Sequence, residues 1–204
     1  MKYYDLKNQL EPLVIFSPQE IYLADPDFRQ ATLYDWEKSG KVVKLKNNCY
    51  VFGDFVPENY DYYLLSNFMY DPSYISTELA LNHFGVIPEA VSVITAVTTN
   101  KTQSFTALET TFSYQTIRPE LFFGYDLLEV RGHGTKIASL EKAILDYLYL
   151  NSSISSEDDF LGLRWNKQVL HDEIKTTKFE TYLAIFSNTA LTQRVNILRK
   201  YLGK

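Results

Sequence analysis

Few side chains in this sequence stand where covalent or acid–base chemistry would need them. The three histidines, His83, His133 and His171, share no metal-ligand spacing with one another or with Cys49, the single cysteine. Residues 132–136 read GHGTK, but the glycine spacing of a phosphate-binding loop is missing and a hairpin turn accounts for the run. Glu141 and Asp146 are five positions apart in a helical pattern, so they point in different directions and make a poor acid–base pair. Cys49 has no helix N-terminus or histidine beside it to favour a thiolate. The residue types therefore predict no catalytic group, no metal site and no cofactor.

Binding residues are better represented. Arg29 and Gln30 open a predicted helix, where side chains reach base edges in a DNA major groove. Arginine pairs with guanine and glutamine with adenine, each good pair discriminating by about 1–3 kcal/mol. On a helical wheel Tyr34 and Lys38 fall away from the Leu33/Trp36 ridge, free for groove or phosphate, although Asp35 and Glu37 on the same helix suit an ordinary solvated face. Lys41, Lys44 and Lys46 alternate with apolar residues along a predicted strand, and Asn47 and Asn48 sit at its tip. They fit phosphate contacts, or equally an edge strand protected by charge. In the last third, Arg164, Lys167, Arg194, Arg199 and Lys200, with Lys175 and Lys178, make a candidate basic face for DNA, an RNA or a protein partner, or simply a solvated surface.

The elements that must position these residues follow from periodicity and punctuation. Tyr3, Leu6, Leu10 and Leu13 recur at helical spacing up to about Pro12. Ser17-Pro18 starts a second short helix that stops at Asp25-Pro26. Asp25 or Asp27 is expected to cap a third, ending at Ser39-Gly40. Val42–Leu45 and Tyr50–Phe52 then predict two strands around an Asn47-Asn48 turn. Three helices and a hairpin in this order predict a winged helix-turn-helix over residues 1–57. Pro57 marks the boundary to a mixed helix–sheet domain over residues 58–204, and the whole is expected to be α+β. In that second part the sequence predicts a helix over 60–70 and another capped by Ser76 and stopped by Gly85. It predicts strands over 91–99 and 110–117, and a hairpin turning at Gly132-His133-Gly134. A helix capped by Ser139, a loop over 151–159 and three more helices complete the reading, the last starting at Thr189.

A chain of 204 residues with 46% hydrophobic and 22% charged residues can bury a substantial core and is not of disordered composition. No apolar run approaches the roughly 20 residues needed to cross a bilayer, and the N-terminus lacks the pattern of a secretory signal. With a lone cysteine, these features point to the cytoplasm and to no membrane contact. Net charge is −5 and unevenly spread: −1 over residues 1–57, −9 over 58–163 and +5 over 164–204. That distribution permits DNA contact at either end of the chain.

YISTELALNHFGVIPE (74–89), FSYQTIRPELFFGY (112–125) and ASLEKAILDYLYL (138–150), following a predicted winged helix and the strand VSVITAVTT, resemble the AbiEi family. These are bacterial antitoxins and transcriptional regulators of type IV toxin–antitoxin systems, and the resemblance runs over about residues 16–150. It implies a repressor of its own promoter acting on inverted repeats, with two copies on the operator as a homodimer that can form on DNA. It also implies a functional partner, a nucleotidyltransferase-like toxin, without requiring a stable complex with it. Where many members carry basic residues and a glycine before the wing tyrosine, this chain has Asn47-Asn48-Cys49 before Tyr50. Fewer cations there weaken phosphate binding and its salt dependence. Two other functions fit the same residues: a ligand-responsive transcriptional regulator with no toxin partner, and a protein-interaction module.

Overall fold

A computed structural model of the chain describes residues 2–203. The fold is mixed α+β with a helical N-terminal region. Helix α1 (Tyr3–Leu10) buries Leu6 and Leu10 and passes into a 3-10 turn at Glu11–Leu13, where Pro12 withholds a donor. Helix α2 (Pro18–Ala24) starts with a capping box. The Ser17 hydroxyl accepts from the Gln19 N–H at 3.1 Å, and the Glu20 carboxylate accepts from the Ser17 N–H at 2.7 Å. Helix α3 (Gln30–Lys38) begins later than a cap at Asp25 or Asp27 would place it. Asp25 instead closes a turn, accepting from the Phe28 N–H on its carbonyl (3.0 Å) and from the Asp27 N–H on its carboxylate (3.3 Å). Buried Phe28 pins that turn, and Arg29 takes the N-cap position with no side-chain cap bond.

Strands β1 (Val42–Lys46) and β2 (Cys49–Phe52) pair antiparallel around Asn47 and Asn48, and Asn48 accepts the left-handed φ of 62° that the turn needs. Phe16, between α1 and α2, adds an antiparallel bridge to Tyr50 through two hydrogen bonds of 2.9 and 2.8 Å. The two-residue period of the hairpin then divides its side chains. Val42, Tyr50 and Phe52 join a core with Leu6, Leu10, Phe16, Ile21, Leu33 and Trp36. Leu45, Cys49 and Val51 face the opposite way, into a larger core with Tyr63, Leu65 and Met69. Strand β2 ends at Phe52, before Pro57, and the hairpin contributes apolar side chains to both cores.

The larger part contains α4 (Asp61–Met69), β3 (Ser73–Ile75), α5 (Thr77–His83), β4 (Val93–Thr98), β5 (Gln103–Ala107), β6 (Thr110–Thr116), β7 (Tyr125–Val130), β8 (His133–Ala138) and α6 (Leu140–Leu150). Its six strands lie in the order β5-β6-β4-β3-β8-β7, with β4/β6 and β3/β8 parallel and the other pairs antiparallel. Strands β3 and β5 go beyond the sequence reading. The first is three residues long, too short to show a period. The second turns into β6 through Leu108 and Glu109 at φ 48° and 58°, a hairpin with none of the usual Asn-Gly signature. The β7–β8 turn is Arg131-Gly132, both at positive φ, so His133 and Gly134 belong to β8 and not to the turn.

Among the described residues four helices follow α6, one more than expected: α7 (Glu157–Leu163), α8 (Lys167–Glu173), α9 (Thr177–Phe186) and α10 (Thr189–Leu202). The additional helix starts inside the Ser- and Asp-rich stretch read as a loop, because Ser156 and Asp159 form a capping box there. Phe160, Leu170, Phe179, Leu191, Val195 and Leu198 from these helices are buried in the same core as α6. No described helix is long and apolar enough to cross a membrane.

Candidate functional site

Helix α3 turns one face inward and leaves the rest to solvent. Leu33 and Trp36 are buried against the N-terminal core, while Arg29, Gln30, Tyr34 and Lys38 are exposed, Tyr34 to 64%. Asp35 and Glu37 share the solvent side. On the hairpin, Lys44, Asn47 and Asn48 are exposed. Lys41 is exposed at the hairpin's foot, where its ammonium lies 5.2 Å from the Tyr3 ring centre and its carbonyl accepts the Tyr3 hydroxyl at 2.9 Å.

Lys46 departs from the expected phosphate contact. A bulge between Lys44 and Lys46 breaks the alternation of β1 and turns Lys46 toward the larger core. Its ammonium donates to the Met69 carbonyl at 3.3 Å and lies 4.0 and 4.8 Å from the Tyr70 and Phe105 ring centres. Burial pushes its pKa below the ordinary lysine range. This cation holds the hairpin onto α4 and is withdrawn from the outer surface.

Most of the C-terminal cations make contacts within the chain, while Arg164, Lys175, Lys178 and Lys200 are exposed. Lys167 donates to the Tyr201 carbonyl at 2.9 Å, and Arg194 to the Leu148 carbonyl at 3.1 Å. Arg199 pairs with Glu180, Lys178 pairs with Glu141 at 2.8 Å, and Lys175 contacts the His171 ring at 2.9 Å. Backbone carbonyls, the buried Glu141 and the half-exposed Glu180 engage most of these side chains, while Lys175 and Lys178 stay exposed. Lys200 remains exposed, and Arg164 lies 4.0 Å from Glu89 with 78% of its side chain exposed.

Residues weighed for catalysis have structural partners. Cys49 is buried and burial raises its pKa, which suppresses the thiolate. The His133 ring meets the Pro12 carbonyl at 2.9 Å, bridging the N-terminal region to the β7–β8 hairpin. Glu141 is buried beside Lys178.

Asp146 belongs to a cluster that sequence reasoning missed. Lys142 and Asp146, one turn apart on α6, form an ion pair in which both side chains are 0% exposed. Lys142 also donates to the Tyr74 hydroxyl at 2.7 Å. The Tyr74 and Ser76 hydroxyls donate to Asp146 at 2.9 and 2.8 Å. The rings of Tyr74, Phe123 and Phe186 surround the ammonium with their centres 5.0–5.2 Å away. Burial pushes the Lys142 ammonium below its ordinary range against the pull of Asp146, and it pushes the Tyr74 hydroxyl well up. Ser76 therefore does not cap α5 with its side chain, which is committed to Asp146. The helix opens at Thr77, a β-branched residue held at φ 53°. The Lys-x-x-x-Asp spacing on α6 was legible, but such a pair ordinarily lies on a solvated helix face. Closed to solvent, the cluster fastens β3 to α6 and presents no atom to a substrate.

Neither the models of known protein families nor the curated proteins match this chain.

Proposed function

We propose that the protein is a sequence-specific DNA-binding repressor of its own promoter that also serves as the antitoxin of a type IV toxin–antitoxin operon. The observation that carries the DNA half is the free face of α3, where Arg29, Gln30, Tyr34 and Lys38 stand clear of the buried Leu33/Trp36 ridge. The Phe16–Tyr50 bridge supports a winged helix over residues 1–57, since it ties the hairpin back to the segment between the first two helices. In this reading α3 enters the major groove, Arg29 and Gln30 meet base edges, and Lys38, Lys41 and Lys44 meet phosphates with Asn47 and Asn48 at the wing tip. Three lysine–phosphate contacts give a salt dependence of log K on log salt of roughly −3, which is shallow for a repressor. Two copies on an inverted repeat supply the remaining affinity.

The antitoxin half rests on the AbiEi resemblance of residues 74–150 and assigns neutralisation of a nucleotidyltransferase-like toxin to residues 58–204. Gel shifts with the chain's own upstream region at low salt test the first half. Arg29→Ala and Gln30→Ala together should weaken specific binding by about 2–6 kcal/mol, and unchanged binding would remove the assigned DNA face. Growth rescue on co-expression with the adjacent reading frame tests the second half. The absence of a nucleotidyltransferase-like neighbour would leave a regulator without a toxin.

A further inference from the structure

A groove of about 530 Å³ opens between the start of α4, the face of α5 and the strands β4 and β6. Its volume lies within the range of sites that take small organic ligands, roughly 300–1,000 Å³. Aromatic rings build one wall. Tyr60, 48% exposed at the rim, stands edge-on to Tyr63 at 5.3 Å between ring centres and to His83 at 5.8 Å. Tyr62 lines the same wall, and buried Leu79 and Ile94 supply apolar lining.

Polar groups on the other side are oriented by their own bonds. The Asn82 amide donates to the carbonyls of Ile87 and Glu89, both at 2.9 Å, which fixes the side chain and leaves its oxygen with no partner among the described hydrogen bonds. The Thr110 hydroxyl donates to the Leu108 carbonyl at 3.3 Å and keeps its lone pairs. Among the described residues no lining side chain is an aspartate, glutamate, lysine or arginine. Burial lowers the pKa of His83 below its ordinary value, so its ring is neutral at pH 7. The neighbouring cleft, which shares Asn59 and Tyr60, carries Glu58, Asp61 and Glu129 against Arg131 alone.

An anion entering this region meets no compensating cation in the groove and net negative charge beside it. A cation would leave the favourable cleft for an uncharged one. Ring faces combined with unpartnered acceptors suit a flat, neutral molecule that carries N–H donors on its edge. We propose that the groove is a binding site for an uncharged heteroaromatic compound of nucleobase size, packed on the Tyr60 and Tyr62 rings with an N–H directed to Asn82 Oδ1. This goes beyond the DNA and antitoxin reading and does not depend on it.

Titration of the full-length protein at pH 7 with adenine, uracil and benzimidazole tests the site directly, following the His83 imidazole proton by NMR after assignment with His83→Gln. At least one of these neutral probes should shift that resonance saturably with a dissociation constant at or below about 5 mM. AMP, which adds a phosphate to the adenine ring system, should bind at least about tenfold more weakly than adenine. Tyr60→Ala, which strips the rim, and Ala90→Trp, which fills the groove from an exposed position, should abolish the shift while both variants keep a cooperative thermal transition. No shift with any of the three probes overturns the site. Equal or tighter binding of AMP overturns the charge argument, and shifts that persist in both variants place the ligand elsewhere.

Discussion

Replacing Lys142 with Met keeps an unbranched side chain one atom shorter and removes the cation that faces Asp146 on the buried side of α6. Asp146 would retain the Tyr74 and Ser76 hydroxyls at 2.9 and 2.8 Å but would remain a carboxylate with zero exposure and no opposing charge. Breaking a buried pair from one side costs about 3–5 kcal/mol, because the surviving charge has lost both water and partner. For a chain of this size that is about 6–20 °C in Tm at roughly 2–4 °C per kcal/mol. The double variant Lys142→Met/Asp146→Leu removes the stranded charge and leaves two buried hydroxyls without their acceptor, at a cost of about 1–3 kcal/mol each. Summed singles should therefore overstate the loss in the double by at least about 1 kcal/mol. Urea unfolding followed by circular dichroism and tryptophan fluorescence, with equal m-values required across the set, measures the cycle. Additivity within about 0.5 kcal/mol would refute the description of the cluster as one coupled unit.

The two hairpin lysines should separate cleanly. Lys44→Ala should reduce the salt slope of promoter binding by about 1, whereas Lys46→Ala should leave the slope alone and lower stability by about 1 kcal/mol through its lost contacts to Met69, Tyr70 and Phe105. A reversed pattern would return Lys46 to the DNA face. Burial raises the Asp61 pKa, but hydrogen bonds from Arg131 at 2.6 and 2.7 Å and from the Glu58 N–H at 2.8 Å outweigh it and hold the carboxyl below its ordinary value. A folded pKa below the unfolded one means this stabilisation is complete above about pH 4 and is lost as pH falls through the folded value. Asp61→Asn should thus be less stable at pH 7 and show a flatter acid limb in unfolding free energy against pH; an unchanged limb would show that the pair is not coupled to folding. At Gly53 an added Cβ would lie 1.8 Å from the Gly40 carbonyl oxygen, so Gly53→Ala must displace backbone. A loss of about 1–3 kcal/mol is expected, and a wild-type melting curve would contradict the close approach.

Local signals in this sequence were enough to define most helices and the first hairpin. Ser17-Pro18 with Glu20, the Leu33/Trp36 ridge, Asn47-Asn48 and Gly85 each act within a few residues, so each is legible without the fold. Long-range pairing was not. Leu108-Glu109 turns a hairpin with residues that have no turn preference, because the ladder between β5 and β6 imposes it. The bulge that draws Lys46 inward depends on α4 lying beneath the hairpin. Lys167, Arg194 and Arg199 of the C-terminal cations are engaged by carbonyls and a carboxylate from other helices, contacts that no local pattern announces. By itself the sequence determined the α+β class, the order of the N-terminal elements and the outward residues of α3, all set by periodicity and turn chemistry. Which charges stay free for a partner, which are sealed with Lys142 and Asp146, and where an uncharged groove opens beside Tyr60 were decided only when distant chain segments came together, as Tyr74 and Asp146 do from 72 residues apart.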